Sequence, residues 1–400
     1  MDAGHAVTLD MIKDARDALR GIAELTPVIS SHHLGANLLL KSENLQKTGS
    51  FKIRGAYNKL RMLSDAEASQ GVIACSAGNH AQGVALSATR LGIKSVVCMP
   101  EYAPLLKVEA TRAYGAEVVL VPGNYDDSAR EAQRLVGLHG YTFAHPFNDP
   151  YVIAGQGTIA LEILESVPDV QQILVPVGGG GLVSGIAVAV KSIDPSIKVI
   201  GVQSAKVPSM FKSFSIERLS TVQDNMTIAD GIHVLTPGDL TFDIVNTHVD
   251  DMVIVSEDEI AAAIVALLEG PKTVAEGAGA SSVAAYLFDK VDTSLKTVSV
   301  VSGGNVDIST LSRIITKGMQ KMGRIVKLEA NLQDKAADLA GFLACVADCG
   351  ANVVDVTHIR EDMRSEVFSC LVSFTLETRG EEHVKQVKDA LREQGYCLVG

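Results

Sequence analysis

Tryptophan is absent from this 400-residue chain, and only 4% of its residues are aromatic. Surfaces that stack bases or sugars need rings, so single-strand nucleic-acid and carbohydrate binding fit poorly. Positive charge is in deficit as well: 35 Lys and Arg against 47 Asp and Glu leave a formal net charge of -12. A polyanion would be repelled, and no run of Lys and Arg supplies a local basic patch. Cysteine is sparse, at Cys75, Cys98, Cys345, Cys349, Cys370 and Cys397, with no CxxC spacing. Neither a disulfide framework nor a cysteine metal site is expected, and Cys345 and Cys349, on one helix face, read as small core residues. No segment has the unbroken apolar length of a membrane span, and the N-terminus "MDAGHAVTLDMIKDARDALRG" lacks the apolar core of a signal peptide. A cytoplasmic location is the resulting expectation. The nucleotide fingerprints GxGxxG and GxxxxGK[ST] are missing too.

What the chain does have is a 47% hydrophobic content, enough for a large core. From about Gly71 to about Lys321, β-branched runs alternate with helical patterns. "GVIAC", "KSVVCMP" and "AEVVLVP" are interleaved with "NHAQGVALSATRLG" and "PLLKVEATRAYG". A second series runs through "QQILVPV", "GLVSGIAVAVKSI", "IKVIGVQ", "DMVIVS", "EDEIAAAIVALLEG" and "LKTVSVVSGG". This alternation predicts an α/β fold of two open lobes with mostly parallel sheets, and ligands of such sheets sit at the carboxyl ends of the strands. After "ITKGMQKMG" the order becomes β-α-β-β-α-β, a ferredoxin-like unit. We therefore expect a catalytic domain over 1–321, with a small lobe of about 48–150 inserted in the large one, and a separate domain over 322–400.

Four segments carry candidate chemistry. In "GSFKIRGA", Lys52 stands between Phe51 and Ile53, and a lysine stripped of water moves towards its neutral, nucleophilic form. Taken alone, the segment fits a helix-start lysine with a solvated head better. In "VPVGGGGLVSG", Gly178, Gly179, Gly180 and Gly181 join a strand to a helix, so their bare backbone can converge N–H groups on one phosphate; the alternative is a tight turn. In "CSAGNHAQG", Ser76, Asn79, His80 and the helix-start amides can take a small carboxylate, or Ser76 and Asn79 can serve only as caps. In "VVSGGNVD", Ser302 ends the last strand of the region and can face a ring, or act as a turn residue. A desolvated lysine, a monophosphate cup, a carboxylate loop and a strand-end serine together point to pyridoxal 5'-phosphate, whose aldehyde takes a lysine.

With those residues in place, the chain resembles the threonine ammonia-lyase (threonine dehydratase) family, kin of serine racemase, in the fold type II group of pyridoxal-phosphate enzymes. "GSFKIRGA", "SAGNHAQG", "YGAEVVL", "DPYVIAGQGTIALEI", "PVGGGGL", "ADG", "AEGAGA" and "SGGN" occur in family order. The resemblance implies Lys52 as Schiff-base and proton-transfer residue, Gly178 to Leu182 around the phosphate, and Asn79 at the cofactor's 3'-oxygen. It places Phe51 along the ring, Gly231 and Glu276 near it, and Ser302 at the pyridine nitrogen. It assigns Ser76, Ala77, Gly78, Asn79 and His80 to the substrate. A serine at the nitrogen makes a weaker electron sink than an acid would, which favours β-elimination. The implied reaction turns L-threonine into 2-oxobutanoate and ammonia, and L-serine into pyruvate, with an acid such as the cofactor phosphate assisting departure of the hydroxyl.

Two positions differ from the racemase branch. Ala77 stands where that branch has a second serine, and "GVQSAKVPSM" offers Gln203 and Ser209 where it has acidic metal ligands. No divalent metal is expected there. The C-terminal unit resembles an ACT domain, chiefly through "GANVVDVTHIR", and implies an amino-acid effector such as isoleucine, allosteric control in isoleucine biosynthesis, and a homodimer or homotetramer. Its first loop, "DKAADL", lacks the usual Pro-Gly. A β-replacement enzyme of the cysteine synthase type and a serine racemase-like enzyme stay open within this fold. A nucleotide-dependent oxidoreductase lacks its fingerprint, and a pure amino-acid sensor leaves Lys52 unexplained.

Overall fold

Short β-branched runs bounded by turn residues form strands, and the carboxyl ends of those strands carry the loops singled out above. The computed structural model describes residues 7–335, 337–360 and 368–399. Two compact units divide between Leu311 and Ser312, inside the helix Ile308–Lys321 rather than after it.

In the first unit, the strands in chain order are β1 (Val28–Ser30), β2 (Leu38–Ser42), β3 (Val72–Cys75), β4 (Ser95–Pro100), β5 (Glu117–Val121), β6 (Thr142–Phe143), β7 (Gln172–Pro176), β8 (Lys198–Ser204), β9 (Asp251–Val255) and β10 (Thr297–Val301). They make a six-stranded sheet of order β1-β2-β10-β7-β8-β9 and a four-stranded sheet of order β5-β4-β3-β6. All pairings are parallel except β1 with β2. Residues on both faces of β3, β4, β7 and β10 are buried, as parallel sheets covered on both sides require. The four-stranded sheet is the smaller lobe. The pair β1–β2 went unread in the sequence, because "LLLKS" is too short to separate strand from helix by periodicity.

Two close helix contacts fix the lobes. The helix Pro150–Ser166 is capped by Asp149, whose side chain accepts from Tyr151 N and Val152 N, an ordinary N-cap followed by Pro at the first position. A Cβ on Gly157 would lie 2.7 Å from Gly185 O of the helix Gly181–Ile193. On another face of the same helix, a Cβ on Gly155 would lie 2.8 Å from Gly55 Cα of the helix Lys52–Leu60. Only glycine permits backbones this close.

The second unit holds β11 (Ile325–Gln333), β12 (Asn352–Ile359), β13 (Ser369–Glu377) and β14 (Cys397–Val399) with the helices Asp338–Asp348 and Glu381–Glu393. Its antiparallel sheet has the order β12-β13-β11-β14, that of a ferredoxin-like βαββαβ unit. Phe342 and Phe374 stack at 4.0 Å in its core. Glu366 and Val367, expected to begin β13, and Ala336 of the "DKAADL" loop lie outside the described residues. Asp334, His358 and Cys370 bring their donor atoms within 4.8 Å of one another. Arg360 pairs with Asp334 at 3.3 Å, and the Cys370 thiol donates to Leu332 O, so two of the three donors are already engaged. Among the described residues, no helix is long and apolar enough to cross a membrane.

Candidate active site

Lys52 is the first residue of its helix, and Phe51 occupies the cap position without a side-chain cap. The preceding segment is stitched to the end of β10: Phe51 N donates to Ser302 O at 3.1 Å, and Gly304 N to Gly49 O at 2.9 Å. Lys52 Nζ donates to Pro146 O at 3.0 Å and lies 5.2 Å from the centre of the Phe51 ring. Part of the side chain stays accessible, yet the surrounding protein strips its head of water and lowers its pKa to about 8, against the opposing pull of Glu276. At that value, roughly a tenth of the amine is free base at pH 7.

Glu276 faces Lys52 electrostatically and is 4% exposed. Burial first, and the charge of Asp230 second, push its carboxyl up to about 8. Its Oε1 accepts from Asn79 Nδ2 at 2.7 Å. Asn79 Oδ1 in turn accepts from Asn305 Nδ2 at 2.8 Å, which also donates to Thr48 O at 2.8 Å. A Cβ on Gly231 would lie 3.2 Å from Glu276 Oε1, and one on Gly303 would lie 3.2 Å from Asn79 Nδ2. Gly231, Glu276, Asn79 and the β10 end thus form one wall. Ser302, 3% exposed, ends β10 beside them. Lys107 of the small lobe reaches Asp230 of the large lobe at 2.8 Å. Next to it a cleft of about 140 Å³ is lined by Gln82, Lys107, Asn305 and Asp307.

The substrate loop follows β3. Ser76 Oγ accepts from Gly78 N at 3.2 Å; Ala77 and Gly78 are half-buried. Gly78 caps the helix Asn79–Leu91 with no side-chain cap, which leaves first-turn amides available to an anion. His80 departs from the expected arrangement. Its imidazole is buried and its Nε2–H donates to Ala144 O at 2.8 Å; burial first, then the charge of Lys52, lower its pKa to about 3. A neutral ring spent on a scaffold carbonyl gives no charge-assisted bond, so only the His80 main chain can serve a carboxylate.

The glycine loop follows β7. Gly180 has φ +98° and caps the helix Gly181–Ile193. A Cβ there would lie 2.6 Å from Met210 Cε and 2.8 Å from Thr241 Cβ, one on Gly179 would enter the Phe147 ring, and one on Gly178 would lie 3.0 Å from Ile232 Cα. Thr241 Oγ1 donates to Gly179 O at 2.5 Å. Leu182, 5% exposed, anchors the helix in the main core. These groups fit pyridoxal 5'-phosphate by their chemistry: an amine for an aldehyde, a glycine-lined helix start for a phosphate, and an amide and a hydroxyl for polar ring atoms.

The segment Ala144–Asp149 was missed in the sequence. It supplies the Lys52 acceptor, the His80 acceptor and the ring over Gly179, and "AHPFND" carries no signal beyond an Asp-Pro helix start. His145 Nδ1 accepts from Phe147 N and Asn148 N, and burial lowers its pKa to about 4. Asn305 stands inside the "SGGN" motif, where no role was read for it. At the positions compared with the racemase metal site, Gln203 Oε1 accepts from Phe211 N and Ser209 Oγ donates to Val234 O.

Residues 20–303 match the family described as pyridoxal-phosphate dependent enzymes. The chain is 49% identical to an L-threonine ammonia-lyase of Thermotoga maritima over 395 residues, covering 98% of each. Among solved structures it is similar to the processed form of threonine deaminase isoform 2 from Solanum lycopersicum, with TM-score 0.74 and 36% identity over 77% of this chain and 93% of that one. Maize serine racemase is similar at TM-score 0.74 and 36% identity, over 79% of this chain and 98% of that one. The chain belongs to the threonine ammonia-lyase family of pyridoxal-phosphate dependent enzymes.

Proposed function

We propose that this protein converts L-threonine to 2-oxobutanoate and ammonium, with L-serine, converted to pyruvate, as its second substrate. The observation that carries the reading is Lys52: a desolvated amine facing Glu276, one hydrogen bond from the Asn79 loop, in a chain that matches a threonine ammonia-lyase along its length.

Pyridoxal phosphate, when bound, supplies a carbonyl that captures amines and a ring that draws electrons from Cα. Gly178 to Gly181 and Leu182 would hold its phosphate, Asn79 its ring oxygen, Ser302 its ring nitrogen, and Phe51 its face. The amides of Asn79 and His80, with the Ser76 hydroxyl, hold the substrate carboxylate and so orient the Cα–H bond. The Lys52 amine takes the Cα proton. The β C–O bond breaks, hydroxide leaves as water once protonated, and the released enamine tautomerises and is hydrolysed to the 2-oxo acid and ammonium. Burial shifts Glu276 towards its neutral form, which weakens the negative charge facing Lys52. Ala77 offers no proton donor for the opposite face of Cα, which disfavours a racemase.

Residues 1–321 serve as the catalytic domain and 322–400 as an ACT-like regulatory domain in a homodimer or homotetramer, with a branched-chain amino acid as effector. The order of β11 to β14 supports the fold of that domain. Incubating the purified holoenzyme with L-threonine, without a thiol co-substrate, tests the reaction. A stoichiometric 2-oxo acid, trapped as its hydrazone, is expected; its absence, with a β-thio amino acid formed instead when sulfide is added, would replace this reading by β-replacement.

A further inference from the structure

A second set of charges lies on the Lys52 helix and takes no part in the chemistry just described. Arg54, two residues on, is 1% exposed. Two residues of α-helix turn about 200°, so Arg54 points away from the side of the helix on which Lys52 meets Pro146 O. Its Nε and Nη2 donate to the two oxygens of Glu43 at 2.8 Å each, and its Nη1 and Nη2 to those of Glu162 at 2.6 and 2.9 Å. Nη1 also meets Thr158 Oγ1 at 3.2 Å and Nη2 meets Glu24 O at 3.2 Å. Lys41 closes the set, 2.5 Å from Glu162 Oε2 and 2.6 Å from Thr26 O, and Thr26 donates to Glu43. Two positive and two negative groups are thus enclosed with every donor of the guanidinium used. The set joins β2, the loop after it, the helix Pro150–Ser166 and the Lys52 helix.

Stability does not account for such a cluster, because apolar side chains of similar volume often serve as well or better in a core. Direction does. The Lys52 helix has no side-chain N-cap and begins directly after the Phe51–Ser302 main-chain bond. That bond holds one point at the helix start. The planar fork of Arg54, fixed against two carboxylates, holds a second point on the opposite side. Gly55 and Gly155 lie backbone to backbone between the two helices, so no side chain intervenes to take up a rotation. Lys52 sits between these restraints.

We propose that Arg54, Glu43, Glu162 and Lys41 are positioning residues, which fix the rotation of the Lys52 helix and so hold the Lys52 amine at Pro146 O, facing Glu276. The proposal rests on Lys52 being the reacting amine.

The test uses the full-length chain and two variants. Arg54→Met combined with Glu43→Gln removes the fork while leaving the Lys41–Glu162 pair charge-balanced. Glu162→Gln keeps size and one acceptor oxygen, and carries the test if the double variant does not fold. The first readout is the pH midpoint for labelling of Lys52 by reductive methylation of the cofactor-free chain, followed by peptide mass analysis. Glu276 is the ionisable group whose charge acts on this amine, His80 and His145 beside it are held neutral chiefly by burial, and none of the three is altered. A midpoint near pH 8 in the wild type should move up towards that of exposed lysines in the variants. The second readout is steady-state turnover of L-threonine by the holoenzyme: kcat should fall at least tenfold with KM changed less than threefold. A purely structural cluster would lower the urea midpoint and leave the labelling midpoint and kcat of the folded fraction unchanged, and that result overturns the proposal. If the wild type does not turn over threonine yet the labelling midpoint still moves, the proposed function fails and the positioning role stands.

Discussion

Replacing Gly180 with alanine separates two costs that the glycine loop avoids. At φ +98° an L-residue is strained, which costs about 1–2 kcal/mol, partly offset by about 0.4–1 kcal/mol from the less flexible unfolded chain. The new methyl also sits 2.8 Å from Thr241 Cβ, and overpacking of this kind costs about 1–3 kcal/mol. Together they give a destabilisation of about 1–4 kcal/mol. Gly92 provides the control, because it has φ +70° at the end of the Asn79–Leu91 helix and nothing within 4 Å of its added Cβ. Gly92→Ala therefore carries the strain alone, about 0–1.6 kcal/mol after the offset. Urea unfolding of both variants without cofactor measures the stability difference, and equilibrium dialysis against pyridoxal phosphate measures the cup. Gly180→Ala should unfold at lower urea than Gly92→Ala and bind the cofactor at least tenfold more weakly, whereas Gly92→Ala binds as the wild type does. Equal urea midpoints with unchanged cofactor affinity in both would refute the cup.

Lys52→Ala should abolish turnover, and borohydride reduction of the wild-type holoenzyme should fix the cofactor to the peptide containing Lys52; labelling elsewhere would overturn the assignment. The Glu276 carboxylate raises the Lys52 pKa, so Glu276→Gln should move the Lys52 labelling midpoint below about 8, and an upward move would show that the two groups are not coupled as described. Because Ala77 offers no hydroxyl, L-serine should yield pyruvate without D-serine, which chiral chromatography checks. For the C-terminal unit, proposed as regulatory, an effector coupling of about 1–3 kcal/mol corresponds to a 5–150-fold affinity change; isoleucine or valine should alter threonine turnover in the full chain but not after removal of residues beyond Met322, and equal indifference of both forms would refute the regulatory role.

The parts of the fold that repeat locally were legible in the sequence. β3, β4, β5, β7, β9 and β10 fall within the apolar runs that predicted them, and β8 overruns its run by Ser204 alone, because a buried parallel strand needs only a short β-branched stretch between turn signals. The glycine loop was legible for the same reason, since a positive φ and a close backbone approach leave a residue-type trace. Pro146 left none. Its carbonyl holds Lys52 across 94 residues of sequence, and any residue type has a carbonyl. His80 was legible as a polar residue at a helix start, but its imidazole is turned to Ala144 O, and rotamer direction has no counterpart in a motif. Arg54 lay in plain view in "GSFKIRGA", yet its partners Glu43 and Glu162 are separated from it by 11 and 108 residues.

The contrast between Lys52 and Arg54 shows how one helix keeps two cations for opposite ends. Arg54 is fully enclosed, yet its charge is held firmly, since Glu43 and Glu162 outweigh the cost of burial and raise its pKa. Lys52 meets one carbonyl and the field of a carboxylate that is itself shifted towards its neutral form. An enclosed ammonium with so few partners loses its proton readily, whereas a guanidinium gripped by two carboxylates keeps its own. The flanking Phe51 and Ile53 matter less than the sequence suggested: Ile53 is fully buried in its own right, and Phe51 reaches the amine only across 5.2 Å. What prepares Lys52 is its place at an uncapped helix start over the cleft, with its hydrogen-bonding partners withheld.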